Sequence, residues 1–272
     1  MSPFAFSGSP FLIAGPCVVE SDATMDRIAD TLAEIAVRLD LRVCFKASFD
    51  KANRASVTSA RGPGLAAGLA ALDRQRERTG LPILTDVHEA GQVATVADVV
   101  NALQIPAFLS RQTDLLVAAG QSRLPVNIKK GQWMAPDAMA GAVEKVRSGG
   151  STEIAVTERG TFLGYGDLVV DFRNLPAMRE ATGVPVIYDA THSVQQPGRA
   201  TGGASGGLRE YIPTLVLAAA AAGADGFFIE THPDPVRALS DAATQWPLDQ
   251  LEALLRRTLA VREAARERQH AT

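Results

Sequence analysis

Short runs of apolar and β-branched residues alternate with longer segments whose apolar positions recur at helical spacing, the pattern of βα units around a parallel sheet. The pattern predicts strands at residues 11–18, 42–49, 82–87, 102–105, 125–129, 153–159, 185–192 and 226–232. Helices are expected at 23–39, 64–78, 89–96, 113–121, 136–147, 171–181, 208–222 and 248–268. Eight such units over 272 residues, about 34 residues each, predict an α/β (β/α)8 TIM barrel. The whole chain, residues 1–272, is then a single domain, with a short segment of roughly ten residues ahead of the first strand. An open doubly wound sheet is the competing arrangement, and it would gather its chemistry at one switch point. Here Cys17, Lys46, Asp86, Lys129, Arg159, His192 and Glu230 each stand at or near the end of a different run, which favours the closed barrel. Alternation pairs Asn127 with Lys129, Thr157 with Arg159, and Glu230 with His232 on shared strand faces.

Composition narrows the function classes. With 46% hydrophobic and 21% charged residues the chain has enough apolar surface to fold, which excludes a disordered tail. A net charge of −3 provides no positive field for nucleic acid or anionic lipid, so neither is expected as a partner. The N-terminus lacks a basic region, and its apolar residues are broken by Ser7, Gly8, Ser9 and Pro10, unlike a secretory signal. The most apolar stretch, residues 215–224, falls well short of the ~20 residues a bilayer span needs. Two cysteines, Cys17 and Cys44, are too few for a disulfide framework and fit a reducing cytoplasmic setting.

Two constellations carry candidate chemistry. Lys46, Lys51, Arg54, Arg111, Lys129, Lys130 and Arg159 lie near or just past strand ends in a chain that is acidic overall. Lysine and arginine are rarely buried without partners, so their convergence on one barrel mouth would suit a ligand carrying phosphate and carboxylate groups. Solvated loop charge is the ordinary fate of any one of them. Cys17, His192, Glu230 and the loop carboxylate Asp241 combine sulfur, imidazole and oxygen donors suited to a divalent transition metal. Their spacing matches no local zinc motif, and a buried thiol or a hydrogen-bonded imidazole is the commoner outcome for each. The glycine-rich TGGASGG at 201–207 lacks the Gly-Lys-Ser/Thr ending of a phosphate loop and reads as a loop able to close over the mouth.

The runs AGPCVVES, FKASFDKANR, ILTDVHE, SRQTDLL, NIKKGQW, GYGDLVVDFR, DATHSVQ and IETHPDP, in order over residues 11–247, resemble the 3-deoxy-D-manno-octulosonate 8-phosphate synthases. The resemblance implies a cytoplasmic barrel enzyme, a homotetramer, which condenses phosphoenolpyruvate with arabinose 5-phosphate to make a sugar acid for lipopolysaccharide. It implies that Lys46, Lys129 and Arg159, with the loop carrying Arg111 and Gln112, bind phosphoenolpyruvate. Asn53 and Arg54 would take arabinose 5-phosphate, the Arg111 loop reaching across a subunit interface, with Lys51 between the two roles and Gln195 also on the substrates. Lys51, Asp86 and His192 are the candidates for proton handling. The family usually follows KANR with two serines, whereas Ala55 stands before Ser56 here, so one hydroxyl for the sugar phosphate is missing.

The family has metal-requiring and metal-free forms. Cys17 after Gly-Pro, KKGQ at 129–132 and SDAATQ at 240–245 are similar to the metal-requiring form. Cys17, His192, Glu230 and Asp241 would then hold one divalent ion per subunit, with Fe, Zn, Mn, Co or Cd all eligible. The nearest alternative is the sister synthase that uses erythrose 4-phosphate. That family carries KPRT at the sugar-phosphate loop, where this chain has KANR at 51–54. Sialic-acid-type synthases commonly carry an extra domain for which no residues remain, and a non-catalytic barrel would be expected to have lost some of these side chains.

Overall fold

The computed structural model describes residues 4–8, 10–53, 60–162, 164–199 and 205–270. Its eight parallel strands are β1 (Phe11–Gly15), β2 (Arg42–Lys46), β3 (Ile83–Asp86), β4 (Ala102–Ile105), β5 (Val126–Lys129), β6 (Ile154–Glu158), β7 (Val186–Asp189) and β8 (Gly226–His232). They pair in that order, and β1 closes against β8 in register from Phe11↔Gly226 to Gly15↔Glu230. Each strand is followed by a helix: α1 (Asp22–Leu39), α2 (Leu65–Thr79), α3 (Val93–Ala97), α4 (Thr113–Gln121), α5 (Met139–Gly149), α6 (Asn174–Thr182), α7 (Ile212–Ala221) and α8 (Leu251–His270). The architecture is the expected (β/α)8 barrel.

Strand alternation divides the core in two. Leu12, Val43, Phe45, Ile83, Leu103, Ile128, Val156 and Val186 face outward and pack under the helices. Phe11, Ile13, Cys44, Leu84, Ala102, Ala155, Ile187 and Phe228 face inward and form a separate apolar layer. At the base this layer is closed by the segment ahead of β1. Phe4 and Phe6 are buried there against Phe11, with ring centroids 5.5 and 5.7 Å from it. The Arg42 guanidinium lies 5.6 Å from the Phe11 centroid and donates to the Ala5 carbonyl at 2.8 Å, fastening the segment in place.

Several strands are shorter than the hydrophobic runs that announced them. β1, β2 and β7 stop at Gly15, Lys46 and Asp189, three residues before the expected ends at 18, 49 and 192. Val18 and Ser48 keep one isolated bridge, and Phe49 stays buried although it lies past β2. Burial thus continues beyond the hydrogen-bonded ladder, and apolar patterning reports burial. Helix α6 begins at Asn174 because Asp171 first accepts from the Arg173 N–H at 3.0 Å, an Asx turn in place of a helical one. Two small ribbons were not expected: Thr161–Phe162 with Leu168–Val169, and Gln195–Gln196 with Gly206–Gly207. Residues 201–204 of the glycine-rich stretch lie outside the described residues. Among the described residues no helix is long and apolar enough to cross a membrane.

Candidate active site

Above the apolar layer the inward positions turn polar, and Phe228 forms the floor between the two. Lys129, at the end of β5, holds its Nζ 3.1 Å from the Phe228 ring centroid and donates to Asp189 Oδ2 at 2.6 Å. Lys46 at the end of β2 donates to Glu230 Oε1 at 2.6 Å and to the Cys17 carbonyl at 3.0 Å. Arg159, just past β6, donates through Nη2 to Gln195 Oε1 at 2.8 Å, while its buried Nη1 finds no hydrogen-bond partner among the described residues. Three cations therefore converge from three strands as expected, one with a donor still to satisfy. Burial pushes Lys129 down to about 8 despite Asp189 beside it, so its ammonium is held against a desolvation penalty that an anionic ligand would relieve.

The four expected metal ligands come together from loops far apart in the chain. Gly15 lets this happen, since a Cβ there would lie 2.0 Å from the Lys46 carbonyl oxygen; its absence lets the end of β1 pass close to β2 and drop Cys17 into the mouth. Cys17 Sγ lies 3.1 Å from Asp241 Oδ2 and 3.1 Å from Ser240 Oγ. Ligand atoms of Cys17, Glu230 and Asp241 all lie within 4.8 Å of one another. His192 Nε2 faces the same cluster, 3.6 Å from Glu230 Oε2 and 3.7 Å from Asp241 Oδ2. Its other nitrogen, Nδ1, is 2.8 Å from Asp189 Oδ2, and its backbone N–H donates to Asp189 Oδ1 at 3.0 Å. The carboxylate behind the ring fixes which nitrogen turns inward, the usual support of a ligating imidazole.

This donor set fits a divalent ion. Glu230 Oε2 is fully buried and accepts no hydrogen bond among the described residues, although a buried carboxylate oxygen ordinarily has a donor. Burial, with Asp241 and Glu230 adding, pushes the Cys17 thiol well above its ordinary value. A cation at the centre of the cluster would reverse both conditions, giving Oε2 a partner and favouring the thiolate. Asp241 sits in the left-handed region at φ 50°, a conformation Asp tolerates better than most residues, and the Glu20 carboxylate accepts from the Leu239 N–H at 3.2 Å in the same loop.

Lys51 and Asp86 meet through Ser48. Ser48 Oγ donates to Asp86 Oδ2 at 2.6 Å and accepts from Lys51 Nζ at 2.9 Å, while Gln104 Nε2 donates to Asp86 Oδ1 at 2.8 Å. Burial opposes the charge of Asp86, but Lys46, Lys51, His88 and the Ser48 hydroxyl outweigh it and hold the carboxyl well below its usual range. With both oxygens engaged, Asp86 anchors Lys51. Asn53 is exposed on the rim, and Arg54 and Ala55 lie outside the described residues. Arg111 and Gln112 are also exposed rim residues; the Arg111 carbonyl accepts from Lys145 at 3.1 Å. Lys130, grouped by sequence with the cations of the mouth, is instead fully buried among the carbonyls of Gly131, Met134 and Gly160, where it ties two loops together.

Sequence reasoning missed Asp189, Ser48 and Gln104. Asp189 and Gln104 carried a usable signal, because each is a polar residue inside an otherwise apolar strand, and a buried polar group implies a partner. Ser48 carried none that distinguished it from an ordinary loop serine.

The DAHP synthetase I family model matches residues 7–267. A protein of Syntrophotalea carbinolica named 2-dehydro-3-deoxyphosphooctonate aldolase is 56% identical over 250 residues, covering 92% of this chain and 90% of the relative. Proteins of the same name from Cyanothece sp. and Nitrobacter winogradskyi are 53% and 54% identical, covering 94% and 92% of this chain and 94% and 86% of the relatives. A barrel whose strand ends gather these cations and this donor set, matched over nearly its whole length by these proteins, belongs to the DAHP synthetase I family, alongside its 2-dehydro-3-deoxyphosphooctonate aldolase relatives.

Proposed function

We propose that the chain is a transferase that condenses phosphoenolpyruvate with D-arabinose 5-phosphate and water, giving 3-deoxy-D-manno-octulosonate 8-phosphate and phosphate for lipopolysaccharide synthesis. The observation that carries this reading is the convergence of Lys46, Lys129 and Arg159 beside the Cys17, Glu230 and Asp241 cluster, which His192 faces, at one barrel mouth. The names of the relatives support the five-carbon sugar over the erythrose 4-phosphate alternative.

In this reading the three cations hold the phosphate and carboxylate of phosphoenolpyruvate above Phe228, where they also offset its repulsion from the second phosphorylated substrate. Carbon 3 of phosphoenolpyruvate attacks the aldehyde, water adds at carbon 2, and cleavage of the C–O bond releases phosphate. Cys17, His192, Glu230 and Asp241 would hold one divalent ion per subunit, which when bound would supply Lewis acidity at the mouth. Asp189 keeps His192 Nε2 turned to that cluster and so commits the ring to ligation. Lys51 Nζ, held on Ser48, handles the proton, while Asp86 positions it. Asn53 and Arg54 take the sugar phosphate, while the loop carrying Arg111 and Gln112 joins the three cations on phosphoenolpyruvate. The subunits are single barrels that assemble as a cytoplasmic homotetramer, and the exposed Phe108 and Trp133, stacked 5.6 Å apart, offer an apolar surface for subunit contact.

The test is phosphate release from phosphoenolpyruvate with arabinose 5-phosphate or erythrose 4-phosphate, before and after chelation and with metal restored. Activity on the five-carbon sugar that is lost with chelator and regained with metal is expected. Activity that survives exhaustive chelation removes the metal, and preference for the four-carbon sugar removes the substrate.

A further inference from the structure

A buried chain of hydrogen bonds crosses the barrel wall from β6 to the end of β2. Thr157 Oγ1 donates to Asn127 Oδ1 at 2.6 Å, Asn127 Nδ2 to Gln104 Oε1 at 3.0 Å, and Gln104 Nε2 to Asp86 Oδ1 at 2.8 Å. Ser48 Oγ completes the line, donating to Asp86 Oδ2 at 2.6 Å and accepting from Lys51 Nζ at 2.9 Å. Thr157, Asn127 and Ser48 are fully buried, and Gln104 and Asp86 are nearly so.

The direction of every bond is dictated from one end. An ionised carboxylate can only accept, so Gln104 must present its NH2 group to Asp86. Its Oε1 then faces Asn127, which must donate, and the Asn127 carbonyl oxygen is left to accept from Thr157. Reversing any one amide would place a carbonyl oxygen against a carboxylate or another carbonyl oxygen. The line therefore has one low-energy arrangement, and its far end is a single hydroxyl on β6.

We infer that Thr157 and Asn127 are positioning residues for Lys51, acting through Gln104, Asp86 and Ser48 rather than touching substrate. The inference rests on the proposed reading, in which Lys51 serves the condensation. Removing the Thr157 hydroxyl frees the Asn127 amide to turn, which withdraws the donor that keeps Gln104 aimed at Asp86 and so loosens the Ser48 contact that holds the ammonium.

The experiment compares Thr157→Val, which keeps shape and loses the donor, with Thr157→Ser, which keeps the donor, in the metal-loaded full chain. Lys51→Met defines the signature of Lys51 in kcat and in the KM of each substrate. Thr157→Val is expected to change the same parameter in the same direction by roughly tenfold. Thr157→Ser should restore it, and the thermal midpoints of the two variants should agree closely. In the Lys51→Met background Thr157→Val should add nothing, as a double-mutant cycle reads it. Where turnover is too slow, calorimetric binding of each substrate completes the same cycle. Should Thr157→Val fold poorly, Asn127→Leu, which cannot donate to Gln104, is expected to give the same signature. Wild-type parameters in Thr157→Val, a change in a different parameter, or an effect undiminished without Lys51 would each overturn the inference. A wild-type chain that releases no phosphate from these substrates overturns the proposed reading, and the positioning role of Thr157 and Asn127 with it.

Discussion

The two ends of the barrel are built from opposite chemistry. At the base, Phe4, Phe6 and Phe11 close the interior with aromatic edges and faces, and Arg42 lies against them. At the mouth, Lys46, Lys129, Asp189, Glu230 and Arg159 are buried together and compensate one another's charge. Burial at the base is favourable in itself, whereas burial at the mouth is tolerated only because every charge has a counter-charge or awaits a ligand. The base is thus expected to govern stability and the mouth to govern binding, with little exchange between them.

The sharpest separation comes from Phe11→Ala. It should cost about 3–5 kcal/mol in urea denaturation, as loss of a buried ring does, with turnover per folded molecule and metal affinity unchanged. A shift in metal affinity would break the division between the two ends. Next in size is Asp189→Asn at the mouth. With His192 no longer fixed by a carboxylate, divalent-ion affinity measured by chelator competition should fall about 10- to 100-fold. Unchanged affinity would mean that packing alone orients His192.

A smaller, graded effect follows from Lys129. Its folded value of about 8 lies below the ~10.4 of an unfolded lysine, so as pH rises through about 8 the native state loses a proton that the unfolded state retains. Stability from this group therefore rises with pH between those values, while phosphoenolpyruvate binding, followed by titration calorimetry, weakens as the cation is lost. The opposite signs are the test, and binding that strengthens above pH 8 would count against Lys129 as an anion-binding group. At the bottom of the scale, Arg173→Ala removes an exposed pair with Asp171 and should leave both the denaturation midpoint and turnover where they were.

The sequence was most informative where one residue's neighbours along the chain decide its place. The eight apolar runs each found a strand, because a parallel strand buried on both faces has to be apolar almost throughout. Strand ends were less legible. Phe49 continues the apolar run past β2 yet serves the core from a loop, packing edge-on against His88 at 5.5 Å. The ribbon joining Thr161–Phe162 to Leu168–Val169 has arms too short to show a period. In the site, strand-end cations follow from position and the donor types of Cys17, His192, Glu230 and Asp241 suggest a metal set, but the meeting of Cys17 with Asp241 depends on closure of the whole barrel, which spacing along the chain does not show. Asp189 was overlooked because the histidine three residues later drew the chemistry to itself, although the carboxylate holds both that histidine and Lys129.

Closure of β1 on β8 has a further consequence for the newly made chain. Phe11, in the first barrel strand, pairs with Gly226, in the last, and Cys17 meets Asp241 only across that seam. Until β8 and Asp241 have been made, β1 presents an unsatisfied edge and the donor cluster does not exist. A chain halted anywhere before β8 is therefore an open sheet without a site, and the mouth is assembled only when the barrel closes.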